Sequence, residues 1–209
     1  LGRVEGCMPS REQLPGETYR VGNRVRVYVL ELRETGKVPQ IIVSQAHQEL
    51  VRELFELYVP EIEDGTVEIK SIAREAGYRT KIAVHSEDAD VDPVGACIGT
   101  RGVRIQNVVA ELRNEKIDVI RYSTDPVDYI SNALSPARIT TVALYEDAPE
   151  AGRRAEVIVP DDQLSLAIGR GGQNVRLAAK LTGWKIDIKS ESQAGGNFRD
   201  SNAALDELV

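Results

Sequence analysis

Sulfur and aromatic side chains are scarce in this chain of 209 residues, which holds two cysteines, one methionine, one tryptophan and two phenylalanines. Cys7 and Cys97 cannot make a disulfide framework, and with His47 and His85 they have no zinc spacing. Such sparse cysteine fits an intracellular, cytoplasmic setting. Cys97 lies in a small-residue helical stretch and reads as a buried packing residue. No apolar run has the length of a membrane span or the form of a signal segment, so no membrane partner is expected. No carboxylate pair, nucleophile–base arrangement or metal cluster stands out. The chain is therefore read as non-enzymatic, with no catalytic residue, metal or cofactor. Its first residue is Leu rather than Met, as in a fragment or a processed product. A hydrophobic content of 42% is enough for real cores in one to three small domains.

An overall excess of positive charge is also lacking: the net charge is −7. The acid is concentrated, however. Residues 47–125 carry ten basic and sixteen acidic groups, whereas residues 126–190 carry eight of each. Acid gathers in the helix-like stretch His47 to Asp64, in Glu87 to Asp92 and in the tail. The segment Gly99 to Val109 has two arginines and no acid, and Gly169 to Lys180 has three basic residues and no acid. Local positive loops on an acidic body suit selective rather than indiscriminate binding of nucleic acid.

Those two segments contain the chain's most informative feature. Ile98-Gly99-Thr100-Arg101-Gly102 and Ile168-Gly169-Arg170-Gly171-Gly172 both read Ile-Gly-x-x-Gly between helix-like segments. Each is followed by a short apolar strand, Lys116-Ile117-Asp118-Val119 and Lys185-Ile186-Asp187-Ile188. The loops repeat with an offset of 70 and the strands with an offset of 69, which marks an internal repeat of one supersecondary unit. Glycine lets the backbone approach a ligand closely. A helix that begins after each loop turns unpaired N–H groups and its positive end toward that ligand. A Walker loop is absent. A Rossmann fingerprint fails because Pro160-Asp161-Asp162 and a helix separate the strand Glu156 to Val159 from Gly169. Gly-x-x-Gly between two helices is the loop of the KH module, which clamps about four nucleotides of single-stranded backbone.

Along the chain, residues 1–46 read as β-structure and as part of an OB-type barrel. Val21, Val25, Val27 and Val29 alternate through a strand Tyr19 to Leu32, Gly36-Lys37 supplies a turn, and Ile41-Ile42-Val43 a second strand. Residues 47–125 read α-β-β-α-α-β. A helix buries Leu50, Val51, Leu54, Phe55 and Tyr58 and ends at Pro60. Strands follow at Thr66 to Glu75 and Tyr78 to His85, helices at Pro93 to Ile98 and Gly102 to Asn114, and a strand at Ile117 to Tyr122. Residues 126–190 repeat the order: helix Pro126 to Leu134, strands Ile139 to Tyr145 and Ala155 to Val159, helices Asp161 to Ile168 and Gly172 to Leu181, strand Trp184 to Lys189. Only Ser123 to Asp125 separate the two modules, so they are expected to act as a rigid pair. Residues 191–209 read as linker or disordered tail. Val103, Val108, Val109, Leu112, Val175, Leu177, Ala178, Leu181 and Trp184 are expected in the cores. Ile98 and Ile168 stand at the groove edge, where they line a base slot or the core, and Tyr19 and Tyr28 are candidate base-stacking residues.

The string Val159-Pro160-Asp161-Asp162-Gln163-Leu164-Ser165-Leu166-Ala167-Ile168-Gly169-Arg170-Gly171-Gly172-Gln173-Asn174-Val175-Arg176-Leu177-Ala178 resembles the second KH module of the NusA family of bacterial transcription factors. Leu181 to Ile188 continues the likeness. Asp92-Pro93-Val94-Gly95-Ala96-Cys97-Ile98-Gly99, Glu115 to Asp118 and Asn132 to Ala137 resemble other parts of that family. Pro9 to Gly16 and Pro39 to Ser44 resemble its S1-type barrel. The likeness covers residues 1 to about 190. It implies the RNA-binding core of a factor that rides on RNA polymerase and modulates pausing, termination and antitermination, alongside other antitermination factors. Val38 and Gln45 stand where the family often has Gly and Arg, which weakens the case for RNA contact by the barrel loop.

The expected architecture is thus α+β. A partial S1-type OB domain (1–46) precedes two tandem type II KH modules, 47–125 and 126–190. The expected ligand is single-stranded RNA, the nascent transcript, bound by a monomer. The expected RNA-binding residues are Ile98, Gly99, Thr100, Arg101, Gly102, Arg104, Ile168, Gly169, Arg170, Gly171, Gly172, Gln173, Asn174 and Arg176. Two other classes fit parts of the pattern: an accessory region of an RNA-degrading phosphorolytic enzyme, and a protein-interaction scaffold built on KH folds. In the former family a single KH module precedes the barrel, the reverse of the order here.

Overall fold

A computed structural model describes residues 5–33, 39–145 and 152–195. The chain divides into two compact units, Leu1–Val119 and Ile120–Val209.

The first unit opens with a three-stranded sheet in the order β1-β3-β2, formed by β1 (Gly6–Cys7), β2 (Tyr28–Arg33) and β3 (Gln40–Ser44). The central strand β3 runs parallel to β1 and antiparallel to β2. Among the described residues this sheet is open, not a closed barrel. The strand expected from Tyr19 begins only at Tyr28. Gly22 takes φ +92° and the Asn23 amide donates to Arg20 O, so the chain turns where an alternating strand was expected. Val21 is fully exposed as a result. The expected turn at Gly36-Lys37, and Val38, lie outside the described residues.

The tyrosines of this region also have partners within the unit. The Tyr19 hydroxyl accepts from the Leu14 amide at 3.0 Å and donates to Gln45 Oε1 at 2.7 Å. Gln45 is buried and donates through Nε2 to Arg26 O. Tyr28 stacks flat on His47, with ring centroids 5.2 Å apart. Both rings thereby make internal contacts while staying half-buried.

The rest of this unit begins with α1 (Glu49–Tyr58), whose apolar face buries Leu50, Val51, Leu54 and Phe55. Pro60 disfavours helical geometry at the preceding residue. Val59 is accordingly extended (φ −125°, ψ 97°), and the chain restarts as the single turn α2 (Pro60–Glu63), a short helix beyond the expected stop. Strands β4 (Glu68–Glu75) and β5 (Arg79–His85) form an antiparallel hairpin around Gly77. Then come α3 (Pro93–Ile98), α4 (Val103–Glu111) and β6 (Lys116–Arg121), with β5 central in the sheet β4-β5-β6. One core joins Val51, Phe55, Val67, Ile82, Val84, Cys97, Val108 and Leu112. Burial pushes the Cys97 thiol up to about 12, as expected of a packing residue. Val103 is the exception among the expected core positions, since it lies beside the loop and is 54% exposed.

Behind the β4–β5 turn sits a buried ionic cluster with no counterpart among the expectations. Glu115 accepts from Arg74 Nε and Nη2 at 2.9 Å, from Thr80 Oγ1 at 2.5 Å and from the Gly77 amide at 2.8 Å. Arg74 also donates to His47 O at 2.8 Å. The side chains of Arg74 and Glu115 are 2% and 0% exposed. Buried charges persist only when paired and fully hydrogen-bonded, and here each is.

The second unit repeats the pattern. Asp125 caps α5 (Pro126–Ala133) by accepting from the Val127 amide. Strands β7 (Thr141–Tyr145), β8 (Arg154–Val159) and β9 (Lys185–Ser190) form a sheet with β8 central, antiparallel to β7 and parallel to β9. Helices α6 (Leu164–Ile168) and α7 (Gln173–Thr182) bracket the second glycine loop. Ile130, Leu134, Ala155, Val157, Val159, Ala167, Leu177, Ala178, Leu181 and Trp184 are buried, so Trp184 is a core anchor. Gly183 ends α7 in the left-handed conformation. Residues 191–195, expected as linker, are helical. The Ser192 amide and hydroxyl both donate to Asp161, which anchors that segment. The remainder of the expected tail lies outside the described residues.

Candidate nucleic-acid interface

Each glycine loop is made by the same backbone path. Gly99 and Gly169 follow α3 and α6 with φ, ψ of 73°, 170° and 76°, 168°. The third loop residues, Arg101 and Gly171, take 53°, 25° and 59°, 25°. The fourth, Gly102 and Gly172, take 75°, 14° and 73°, 15°, and lead into α4 and α7. The hydrogen bonds repeat too. The Gly99 amide donates to Gly95 O and the Gly102 amide to Gly99 O, while Gly169 and Gly172 donate to Ser165 O and Gly169 O. Neither loop's following helix has a side-chain N-cap. The first amide of each helix is taken within the loop, since the Val103 amide donates to Thr100 O and the Gln173 amide to Arg170 O.

The first glycine of each loop is fixed by close approach. A Cβ at Gly99 would lie 2.6 Å from Arg104 Cγ, and one at Gly169 would lie 2.8 Å from both Asn174 Cβ and Asn174 N. Arg104 and Asn174 are the corresponding residues of the two copies, five beyond the first glycine, and both pin the loop from behind. Arg104 Nη1 donates to Ala96 O at 2.7 Å and to Glu61 Oε2 at 2.8 Å. Asn174 Nδ2 donates to Ala167 O and Leu134 O, both at 3.0 Å.

This arrangement reassigns two of the expected RNA contacts. Asn174 is fully buried and spends its donors on carbonyls of its own unit, so it positions the loop instead of facing a ligand. The charge of Arg104 is answered by Glu61. Arg176 is exposed and reaches back through Nη1 to Gly171 O at 3.0 Å, closing the second loop. Arg101 and Arg170 differ from these. Both are exposed, and neither has a hydrogen-bonding or ionic partner among the described residues. Thr100 and Gly171 are exposed beside them, while Gly102, Gly172 and Gln173 are half-buried at the helix starts. Ile98 is 37% exposed and Ile168 is half-buried, so both contribute apolar surface at the groove edge. The positioning roles of Arg104 and Asn174 had one signal in the sequence, their equivalent place in the repeat.

Each unit thus presents a glycine loop leading into a helix, an arginine whose side chain is unpaired among the described residues, and an apolar edge, a combination suited to a nucleic-acid backbone with a base alongside. Comparison with known proteins agrees. Residues 45–122 match the NusA-like first KH domain and residues 126–195 the NusA-like second KH domain. The chain is 57% identical over its whole length to the transcription termination/antitermination protein NusA of Halalkalibacterium halodurans, and covers 54% of that protein. Identity to the NusA protein of Bacillus subtilis is 55% over 93% of this chain and 51% of the relative. For that of Thermus thermophilus it is 53% over 90% and 48%. The chain spans about half the length of these curated relatives. In fold it also resembles the solved structure of APE1850, with a TM-score of 0.51 and 24% identity over 68% of this chain and 97% of that one. From the tandem loops, the two matched domains and identity above one half to three curated relatives, this chain belongs to the NusA family.

Proposed function

We propose that this chain is the single-stranded RNA-binding region of a transcription factor acting in termination and antitermination, and that its ligand is the nascent transcript. The observation that carries the reading is the pair of matching Gly-x-x-Gly loops, each on the same backbone path and each with one exposed arginine whose side chain is unpaired among the described residues. The names of the relatives support the wider role. RNA polymerase and other antitermination factors are the partners this role requires, with the chain acting as a monomer that binds RNA without turning it over.

The RNA backbone sits against the loops Gly99 to Gly102 and Gly169 to Gly172, with phosphates at the amides of Thr100 and Arg101 and of Arg170 and Gly171. Arg101 and Arg170 supply charge, and Ile98 and Ile168 flank the bases. Each module holds about four nucleotides, and an RNA long enough to engage both gains from effective concentration at the second contact. Affinity for single-stranded and double-stranded RNA at two salt concentrations tests this. Binding is expected to prefer the single strand, with a slope of roughly −0.7 per neutralised phosphate. The pair Thr100→Asp with Arg101→Asp is expected to remove most binding while circular dichroism stays as in the parent. Unchanged affinity in a folded double variant would refute a role for the first loop.

A further inference from the structure

Val25 and Val27 lie just ahead of β2, whose register with β3 begins only at Tyr28. The backbone of neither valine has a hydrogen bond among the described residues. Both face α1, where Leu50, Leu54 and Leu57 share one side of the helix. These five apolar residues line an open groove of about 420 Å³. Leu50 and Leu54 are buried at its floor, whereas Leu57 is 55% exposed at its rim. Two charged side chains complete the lining, Arg26 and Glu53. Arg26 is already answered by Glu111 at 2.8 Å. Glu53 is exposed, stands one turn from both Leu50 and Leu57, and has no partner among the described residues. The groove thus joins an apolar floor, a wall of unpaired backbone and one uncompensated negative charge. An RNA strand would bring its phosphates against that charge, whereas a cationic side chain would neutralise it.

We propose that this groove is a docking site for a protein partner, filled by an extended segment that carries a lysine or arginine between two apolar side chains. The backbone of that segment pairs with residues 25–27 as an added strand. Alternate side chains of a strand point the same way, so its apolar side chains cover Leu50, Leu54 and Leu57 while its cation meets Glu53. No residue of the first glycine loop lines the groove. The site is therefore separate from that loop, and the charge of Glu53 assigns it to protein instead of RNA.

The test titrates the chain into a labelled peptide with valine, lysine and valine at successive alternate positions and serine or threonine elsewhere. A second probe has glutamate in place of the lysine. Fluorescence anisotropy is expected to show saturable binding of the lysine probe and about tenfold weaker binding of the glutamate probe. Glu53→Lys is expected to reverse that preference, and Leu57→Ser to weaken both probes alike. Both positions are exposed, and circular dichroism checks that each variant is folded. Hydrogen exchange is expected to slow at the Val25 and Val27 amides when the lysine probe binds. No binding of that probe, equal affinity for the two probes, or no reversal in Glu53→Lys overturns the proposal. Unprotected amides at 25 and 27 overturn the added strand. Displacement of the probe by single-stranded RNA would give the groove to nucleic acid. Self-association of the parent that is lost in Glu53→Lys would give it to a second copy of this chain. Either result overturns the assignment to a partner protein.

Discussion

Asn174 lies directly behind Gly169, so close that a Cβ on the glycine would come within 2.8 Å of the asparagine's backbone nitrogen. Backbone cannot move aside as a flexible side chain can. At Gly99 the neighbour is the stem of Arg104, which can shift. Gly171 has positive φ but nothing within 4 Å of an added Cβ. Alanine scanning is therefore expected to destabilise in the order Gly169→Ala, then Gly99→Ala, then Gly171→Ala. The last should cost only about 1 kcal/mol. Urea denaturation of the three variants checks the order.

The Asn174 amide should matter for folding more than for charge. Replacement by Ala removes the donors to Leu134 O, which keeps its bond from the Ala137 amide, and to Ala167 O, with an expected loss of about 1–3 kcal/mol for the carbonyl left without a donor. Asn174 Oδ1 is itself buried without a partner, so Asn174→Asp would place a charge where no donor meets it and should be worse than Ala. Denaturation midpoints distinguish these outcomes. A destabilisation of Asp smaller than that of Ala would mean the pocket supplies a donor after all.

Glu115 is expected to be the most sensitive charged residue of the first unit. Glu115→Gln leaves the Arg74 guanidinium buried without its counter-ion, and breaking a buried pair from one side costs about 3–5 kcal/mol. A joint change to Arg74→Met and Glu115→Leu should cost less than the sum of the two single changes, because the uncompensated charge disappears. A double-mutant cycle by chemical denaturation measures this. Additive losses would show that the two side chains act independently.

Two groups at the far end of α4 give a pH signature. The hydrogen bond to Glu111 (2.9 Å) raises the Tyr58 phenol above its ordinary value, with burial adding to the shift. Burial works against the Glu111 charge, but hydrogen bonds from Arg26 and Tyr58 prevail and hold it below the usual carboxylate range. A raised folded value for Tyr58 means stabilisation present below the unfolded value near 10 and lost as pH rises through the folded one. A lowered value for Glu111 means stabilisation present above the unfolded value of about 4.3 and lost as pH falls through the folded one. Ultraviolet titration is expected to show Tyr58 ionising earlier in Glu111→Gln than in the parent, with burial keeping part of the rise. The stability difference between parent and variant should shrink in acid.

Arg104 should behave differently from Arg101. Its charge is already neutralised by Glu61, so Arg104→Met is expected to lower stability by about 1 kcal/mol while leaving the salt slope of RNA binding unchanged. A slope shallower by roughly 0.7, the share of one neutralised phosphate, would return Arg104 to the group of phosphate contacts.

The repeat, the α-β-β-α-α-β order of both modules and the glycine loops were legible in the letters, because each depends on local rules. Apolar residues at helical or alternating spacing, prolines at helix starts and glycines at tight turns act within a few residues. Pro93 to Ile98 needed nothing else to be read as a helix. Where those rules needed a distant partner, they failed. The alternation from Val21 to Val29 has the pattern of a strand, but a strand also requires a neighbour along its edge, and the chain turns at Gly22 instead. The internal partners of Tyr19 and Tyr28 were not legible either, since Gln45 and His47 lie far along the sequence.

The amino-acid sequence by itself determined that two glycine loops exist, where they lie, and that arginine stands in each. Only the tertiary structure decided which arginines and polar groups face outward. That choice depends on residues brought near by folding: Glu61 and Ala96 for Arg104, Leu134 and Ala167 for Asn174. It also fixed the backbone conformation that glycine adopts freely at 171 and that arginine adopts at 101 against its own preference. Charge and composition are properties of the chain, whereas the pairing of a charge is a property of the distances that folding sets.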